Sequence, residues 1–366
     1  MDKYRKYPVL EVNTSFVRSN ALTMTEYCLK QGISVAGVIK FSDGSLNMAG
    51  AYIQGGCTQI ASSRVIHLKR IKANLPEAET MLIRTPMLSE ANDVIRFCDI
   101  SLNTERDTLT ALNYEAGILG KKHNVMLMLD VGDLREGLTD VDELCSLAVF
   151  TEYELSNLSL IGIGSSFACF GSILPTCENL GSLLSAAKLI EERINRKLKY
   201  ISGGSSVSLL AMQNGDIPKG INHLRIGGAI SNPRNIRLNR GVAINGMEED
   251  TFILRAELIE VNIKPSCPIG QSSINWSGNK VVFEDRGFRR RAIAAVGSQD
   301  IGDCMKLFPR EQGIRIIGGS SDHTILDIED SCKVWKVGDI VSFNLSYAPL
   351  MYSFCTRHVN IEYSEL

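Results

Sequence analysis

The feature that most restricts the fold of this chain is an alternation running through its first two thirds. A short β-branched run is followed by a polar or Gly-rich loop, and then by a stretch with helical period. The runs end near Lys40, Ser62, Arg84, Ser101, Asp130, Gly164, Ser202 and Arg225. Helical periods occupy residues 20–30, 104–119, 140–155 and 178–196, the second opening on a Thr104-Glu105-Arg106-Asp107 cap. Eight such units over roughly 225 residues predict an α/β fold of the (β/α)8 TIM-type barrel class, whose usual size is ~250 residues. An open doubly wound sheet competes, but rarely reaches eight regular units.

Beyond Pro233 the texture changes. Strand-like runs at 252–263, 280–283, 291–296, 314–317, 324–328 and 340–345 are separated by turns rich in Gly, Pro and Asp. They predict a C-terminal all-β domain over residues 236–366, after a barrel over 1–235 whose first dozen or so residues join the β-domain. The net charge of -2 gives no field to attract nucleic acid or anionic lipid. No apolar run approaches the ~20 residues of a membrane helix, and the charged N-terminus lacks the apolar core of a secretory signal. Ten cysteines without a Cys-x-x-Cys pair argue against a zinc site or disulfide framework and suit a reducing cytosol. A cytoplasmic protein is the expectation.

Barrel enzymes collect their chemistry at the C-terminal ends of the strands. Read only there, the sequence places Lys40 after the apolar run Val35-Ala36-Gly37-Val38-Ile39, so that its amine is partly dehydrated and suited to a Schiff base. Ser202-Gly203-Gly204-Ser205-Ser206 and Arg225-Ile226-Gly227-Gly228, at the seventh and eighth ends, have the make-up of a phosphate cradle. A lysine facing such a cradle fits pyridoxal 5'-phosphate, with Arg225 as the partner of the pyridine nitrogen. An arginine there keeps that nitrogen unprotonated and weakens the ring as an electron sink. Such weakening suits an α-carbanion that is short-lived and reprotonated.

These segments resemble the fold-type III pyridoxal-phosphate enzymes of the alanine racemase family, in its alanine/ornithine racemase branch. Besides Lys40, the marks are Val131-Gly132-Asp133-Leu134-Arg135-Glu136-Gly137, Ala168-Cys169-Phe170-Gly171, Pro175-Thr176-Cys177-Glu178-Asn179-Leu180 and Ser202-Gly203-Gly204-Ser205-Ser206. They continue through Leu224-Arg225-Ile226-Gly227 and Lys264-Pro265-Ser266 to Gly319-Ser320-Ser321-Asp322-His323. The resemblance implies an amino-acid racemase working by two-base proton transfer at the α-carbon of alanine or of a basic amino acid. It implies a head-to-tail homodimer whose sites are each completed by the other copy's β-domain. It assigns Lys40 to the imine and one acid/base, and Arg135 to the cofactor's phenolic oxygen and the substrate carboxylate. Arg225 goes to the pyridine nitrogen, Ser166 to the ring-facing position, and Ser205, Ser206, Gly227, Gly228 and Tyr347 to the phosphate.

The sequence departs from the family's pattern in one respect that bears on mechanism. The early β-domain tyrosine that serves as second base is replaced by Pro268-Ile269-Gly270-Gln271-Ser272-Ser273. The expected substitute is the Asp322-His323 pair, with Cys267 a further candidate. A binder of the cofactor without turnover, and a fold-type III decarboxylase, are the alternatives. The latter is disfavoured by Arg225, where such enzymes place a carboxylate. For a basic substrate, Asp133, Glu136 and Asp322 are the carboxylates available.

Overall fold

A computed structural model describes residues 5–271, 273–274, 278, 280 and 282–365. The chain forms two compact units, one of residues 14–249 and one joining the chain up to Asn13 with the chain from Asp250 on. In the first, eight parallel strands close into a barrel: Ser34–Val38, Gln59–Ser62, Thr80–Leu82, Ile100–Asn103, His123–Met128, Leu158–Gly164, Tyr200–Ser205 and His223–Ile226. The last pairs with the first through Ser34↔His223 to Gly37↔Ile226. The strands end within three residues of the positions read from the sequence, because the β-branched runs and the loop polarity mark the same boundary.

Three of the four predicted helices lie within two residues of their expected bounds, whereas the one read over 20–30 runs from Thr14 to Leu29 and so begins six residues earlier. Arg106–Ile118 differs at its start: the cap position is Glu105, which makes no side-chain cap bond, so the expected Thr104 cap is not used. Val141–Glu154 is capped by Asp140, which accepts from the backbone of Asp142 and Glu143. Cys177–Ile194 opens with a capping box between Thr176 and Asn179. The sequence boundary at 235/236 falls inside a helix, Pro233–Arg240, that belongs to the barrel unit and is capped by Asn232 with Pro233 at its first position.

Inside the barrel, residues alternate toward the axis. Ala36, Val38, Ala61, Met81, Ile100, Leu102, Met126 and Met128 pack there into an apolar cluster with Tyr200. The second, seventh and eighth strands add polar groups to the lumen: His223 Nδ1 lies 2.8 Å from Ser202 Oγ and Nε2 lies 3.3 Å from Gln59 Oε1. A larger apolar cluster, including Leu82, Leu127, Leu160 and Ile163, fills the layer between strands and helices. The buried His123, at the start of the fifth barrel strand, has Nε2 2.8 Å from Ser101 Oγ.

The second unit is a mainly antiparallel sheet. Its strands are ordered Leu307–Pro309, Ile340–Leu345, Phe252–Pro265, Phe288–Ala294, Thr324–Asp327 and Arg315–Gly319. Val9–Asn13 pairs antiparallel with Phe252–Pro265 and parallel with Asn360–Ser364. The strand expected at 280–283 includes Val281, which lies outside the described residues; its other members are not in a strand. The all-β expectation also missed the helix Tyr347–Cys355, whose apolar residues follow a Pro at the third position and match either period over so short a run. Among the described residues no helix is long and apolar enough to cross a membrane.

Burial pulls His123 down to about 4 and His223 down to about 3, so both stay neutral in the folded chain. Their folded values lie below the unfolded ~6.5, so the unfolded chain binds more protons between them. Stability therefore falls as the pH drops from about 6.5 toward the folded values, by about 1 kcal/mol per pH unit for each histidine. The urea midpoint should drop between pH 7 and pH 5, and His123→Gln should flatten that slope. A midpoint that is the same at both pH values, or unaffected in slope by the substitution, contradicts this.

Candidate active site

Lys40 opens a 3-10 turn, Lys40–Ser42, directly after the first barrel strand. Its loop is held from behind. Asp43, in the left-handed region at φ 50°, accepts from His67 Nε2 at 3.0 Å, and Ser62 Oγ lies 2.9 Å from His67 Nδ1. The Arg70 guanidinium donates to the Asp43 carbonyl at 2.6 Å. Burial, followed by the Arg135 cation, holds the Lys40 ammonium below the ordinary lysine range. Cys169 and Glu136 pull the other way, and Arg225 adds to the lowering. A lysine so placed supplies more of its neutral, nucleophilic form at a given pH.

Arg225 is buried. Its guanidinium donates to Ser165 O at 2.7 Å, to Ser166 Oγ at 3.5 Å and to Ser202 Oγ. All three acceptors are neutral. Burial pulls its pKa down to about 10, opposed by Glu136 and reinforced by Arg135, and it remains a cation at neutral pH. Arg135 donates to Ser166 Oγ at 2.7 Å and pairs with Glu136, whose Oε1 also accepts from Ser166 Oγ at 3.0 Å. Lys40, Arg135, Arg225, Ser166 and Glu136 thus form one electrostatic group, in which three cations face one carboxylate.

The three carboxylates offered by the sequence separate clearly. Glu136 belongs to this group. Asp133 does not serve it: only 1% exposed, its carboxylate accepts from the backbone N–H of Cys169, Phe170 and Ile173. Its carbonyl also takes Gly171 N–H at 2.8 Å. Asp133 therefore staples the fifth strand-end loop to the sixth. Asp322 lies in the second unit.

At the cradle, Gly204 has φ 104°, and a Cβ there would lie 2.7 Å from the Phe167 ring. A Cβ on Gly227 would lie 2.8 Å from the Val38 carbonyl, so only glycine lets these backbones pass. Tyr52, fully buried, donates to Gly227 O at 3.1 Å. Ser206 Oγ accepts from Ala229 N–H at 3.2 Å, next to Gly228, while Ser205 ends the seventh barrel strand half-buried.

The remaining predicted residues belong to the second unit. Asp322 and His323 occupy the turn between Arg315–Gly319 and Thr324–Asp327. They do not bond each other: Asp322 accepts from Ser321 Oγ at 2.7 Å, and His323 Nδ1 lies 3.1 Å from Ser320 Oγ. Each side chain is thus held by its serine neighbour within the turn. Cys267 is half-buried after Phe252–Pro265, and Tyr347, half-buried, is the first residue of its helix. The sequence announced no role for His67, Tyr52 or His223, and Ser202, read there as part of the phosphate cradle, lies against Arg225 and His223. A signal existed for the last: His223 precedes Arg225 by two in one strand and so shares its face.

A (β/α)8 barrel with a half-buried lysine after its first strand, a glycine-lined turn pair and two arginines near the lysine defines a barrel enzyme whose chemistry gathers at the strand ends. The family model for the alanine racemase N-terminal domain matches residues 12–233. The chain is 36% identical over 356 residues to ornithine racemase of Acetoanaerobium sticklandii, covering 97% of this chain and 99% of that one. It is 35% identical over 357 residues to lysine racemase of Thermotoga maritima, covering 98% of each. Among solved structures, alanine racemase from Streptomyces lavendulae superposes with a TM-score of 0.76 at 15% identity, over 99% of this chain and 98% of that one. D-threonine aldolase from Filomicrobium marinum superposes with a TM-score of 0.72 at 12% identity, over 95% and 88%. At these identities the two structures speak for the fold alone. The chain belongs to the alanine racemase family, and it is an amino-acid racemase.

Loss of the Asp133 staple should be costly, since hydrogen bonds to a buried carboxylate are each worth about 1.5–3 kcal/mol. Asp133→Ala is expected to lower the unfolding free energy by about 3 kcal/mol and to speed amide exchange first at Cys169, Phe170 and Ile173. An unchanged urea midpoint with those amides still protected contradicts the staple.

Proposed function

We propose that the chain is a pyridoxal 5'-phosphate-dependent racemase of a basic amino acid, ornithine or lysine, active as a cytoplasmic homodimer. The observation that carries the reading is the half-buried Lys40, its ammonium disfavoured by desolvation and by Arg135, beside a cationic group that holds one carboxylate. The residues present fit the cofactor. Gly227 passes too close to Val38 to carry a side chain, and this turn, with Gly228 and the Ser205 and Ser206 hydroxyls at the neighbouring strand end, supplies the small residues and donors that a phosphate would need. Arg225, whose acceptors are all neutral, has a charge to offer a ring nitrogen. Lys40 would hold the cofactor as a Schiff base, and Tyr347 of a second copy would close over the phosphate. The cofactor, when bound, supplies the electron withdrawal that acidifies the substrate's α-hydrogen.

The chain's own residues do the rest. Lys40 Nζ, freed when substrate takes its place, accepts the α-proton from one face. Arg225 would donate a hydrogen bond to the ring nitrogen and, having no acceptor of its own, would leave that nitrogen without a proton, which would weaken the ring as an electron sink. Arg135 holds the substrate carboxylate. The opposite face needs an acid from a second copy's β unit, for which Asp322 and His323 are the candidates, followed by Cys267.

Glu136 supports the choice of a basic substrate. Its Oε1 takes both Ser166 and Arg135, whereas among the described residues its Oε2 accepts no hydrogen bond. An ω-ammonium is the natural occupant of that oxygen, and the two curated relatives are named for ornithine and lysine. Glu136→Gln should raise KM for ornithine or lysine about tenfold or more, as befits a lost charged hydrogen bond, and change KM for alanine much less. Equal effects on both substrates would remove Glu136 from side-chain recognition.

Purified protein should be yellow, and borohydride should fix the chromophore on the Lys40 peptide. Lys40→Ala that stays yellow, or labelling elsewhere, would overturn the cofactor assignment. Light scattering should give a dimer, and a fully active monomer at micromolar concentration would refute the shared sites.

A further inference from the structure

The barrel lumen contains a file of polar groups that the proposed reaction does not use. Arg225 donates to Ser202 Oγ. An arginine has no acceptor to offer, so the serine's own hydrogen is free to point on, and His223 Nδ1 waits 2.8 Å away. A neutral imidazole that accepts at Nδ1 carries its proton at Nε2, which faces Gln59 Oε1 at 3.3 Å. The Gln59 amide then donates to Glu79 Oε2 at 2.6 Å and to Tyr200 OH at 2.9 Å. Gln59 and His223 each begin their strands and Glu79 directly precedes Thr80–Leu82, so the file runs from the mouth of the barrel to its floor.

We propose that Ser202, His223 and Gln59 are positioning residues for Arg225: a single file of hydrogen bonds, all donated in one sense from the guanidinium to the Glu79 carboxylate, orients Arg225 and steadies its charge. The physical need is plain. Arg225 is a buried cation bonded only to neutral acceptors, an arrangement that costs several kcal/mol unless the surroundings are polarised toward it. Bonds that share one sense polarise each other, and here a carboxylate terminates the acceptor end. Reversal is blocked at His223. An imidazolium would aim a second donor at Ser202 Oγ and set two buried cations side by side. The groups that face His223 are Arg225, Lys199, Ser202, Gln59 and the Tyr200 ring at 4.9 Å, and neither charged one favours protonation.

This inference rests on the cofactor reading only in its kinetic arm. In 15N-histidine-labelled protein as purified, the His223 ring should show the Nε2–H tautomer alone from pH 8 to pH 5. An Nδ1–H tautomer or an imidazolium at pH 7 overturns the file whatever the protein binds. In the kinetic arm, Ser202→Ala frees the guanidinium. Conversion of cofactor to its amine form, counted per racemisation event, should rise about tenfold or more, the worth of a charged hydrogen bond. Ser202→Thr, which keeps a hydroxyl, should stay near wild type, and His223→Asn, which keeps the acceptor toward Ser202, should fall between. A role in stability alone would lower the melting temperature of all three and leave that ratio where it was, and this result too overturns the proposal. If the protein takes up no pyridoxal phosphate, the proposed function falls, and the histidine tautomer still decides the file.

Discussion

The structure turns on the placement of one buried positive charge. Arg225 sits where the eighth barrel strand ends, with no carboxylate among its hydrogen-bond partners, and much around it serves to make that tolerable. Ser165 gives its carbonyl and Ser202 its hydroxyl. Gly164 stays small because a Cβ there would come within 3.2 Å of the guanidinium. Glu136 contributes a negative charge from the neighbouring loop. The same cation helps to keep Lys40 away from its protonated form, so one residue influences both the proposed electron sink and the proposed base.

That arrangement explains the division of the lumen. A barrel of this kind is ordinarily filled by branched apolar side chains. Here Met81, Ile100, Leu102, Met126 and Met128 do that on one side, whereas Gln59, Ser202, His223 and Arg225 occupy the other. Each polar member has a partner, which keeps the cost of burying it modest. The methionines opposite suit a cavity of uneven outline, since an unbranched thioether adapts to gaps that a β-branched residue would leave.

Much of this was legible in the sequence, for physical reasons that can be named. The barrel could be read because strand, loop and helix each have a distinct period, and eight repetitions leave little ambiguity. Lys40, Arg135, Ser166, Arg225 and the glycine pairs could be read because barrel chemistry gathers at strand ends. Where reading failed, the information was not local. Which of Asp133 and Glu136 turns toward the lysine depends on where residues 169–173 need an acceptor, a pairing between loops that spacing does not encode. The strands Val9–Asn13 and Asn360–Ser364 are short and far apart in the chain, and only distant partners, each other and Phe252–Pro265, make them strands. Adjacency in sequence likewise does not say what Asp322 and His323 touch, and in the hairpin turn each side chain meets a serine.

The pairing of Val9–Asn13 has a consequence for how the protein is made. This strand lies between Phe252–Pro265 and Asn360–Ser364, so both of its neighbours leave the ribosome long after it does. At ordinary elongation rates the first of them follows roughly ten to fifty seconds later. During that interval the barrel strands are being made one after another, while the segment before them has nothing to pair with. Its apolar residues Val9, Leu10 and Val12, fully buried at the end, are then unprotected. A nascent chain of this design offers a chaperone a sticky segment ahead of the barrel. Stalled translation anywhere between the barrel and the closing strand would release a completed barrel that still trails an unsatisfied edge.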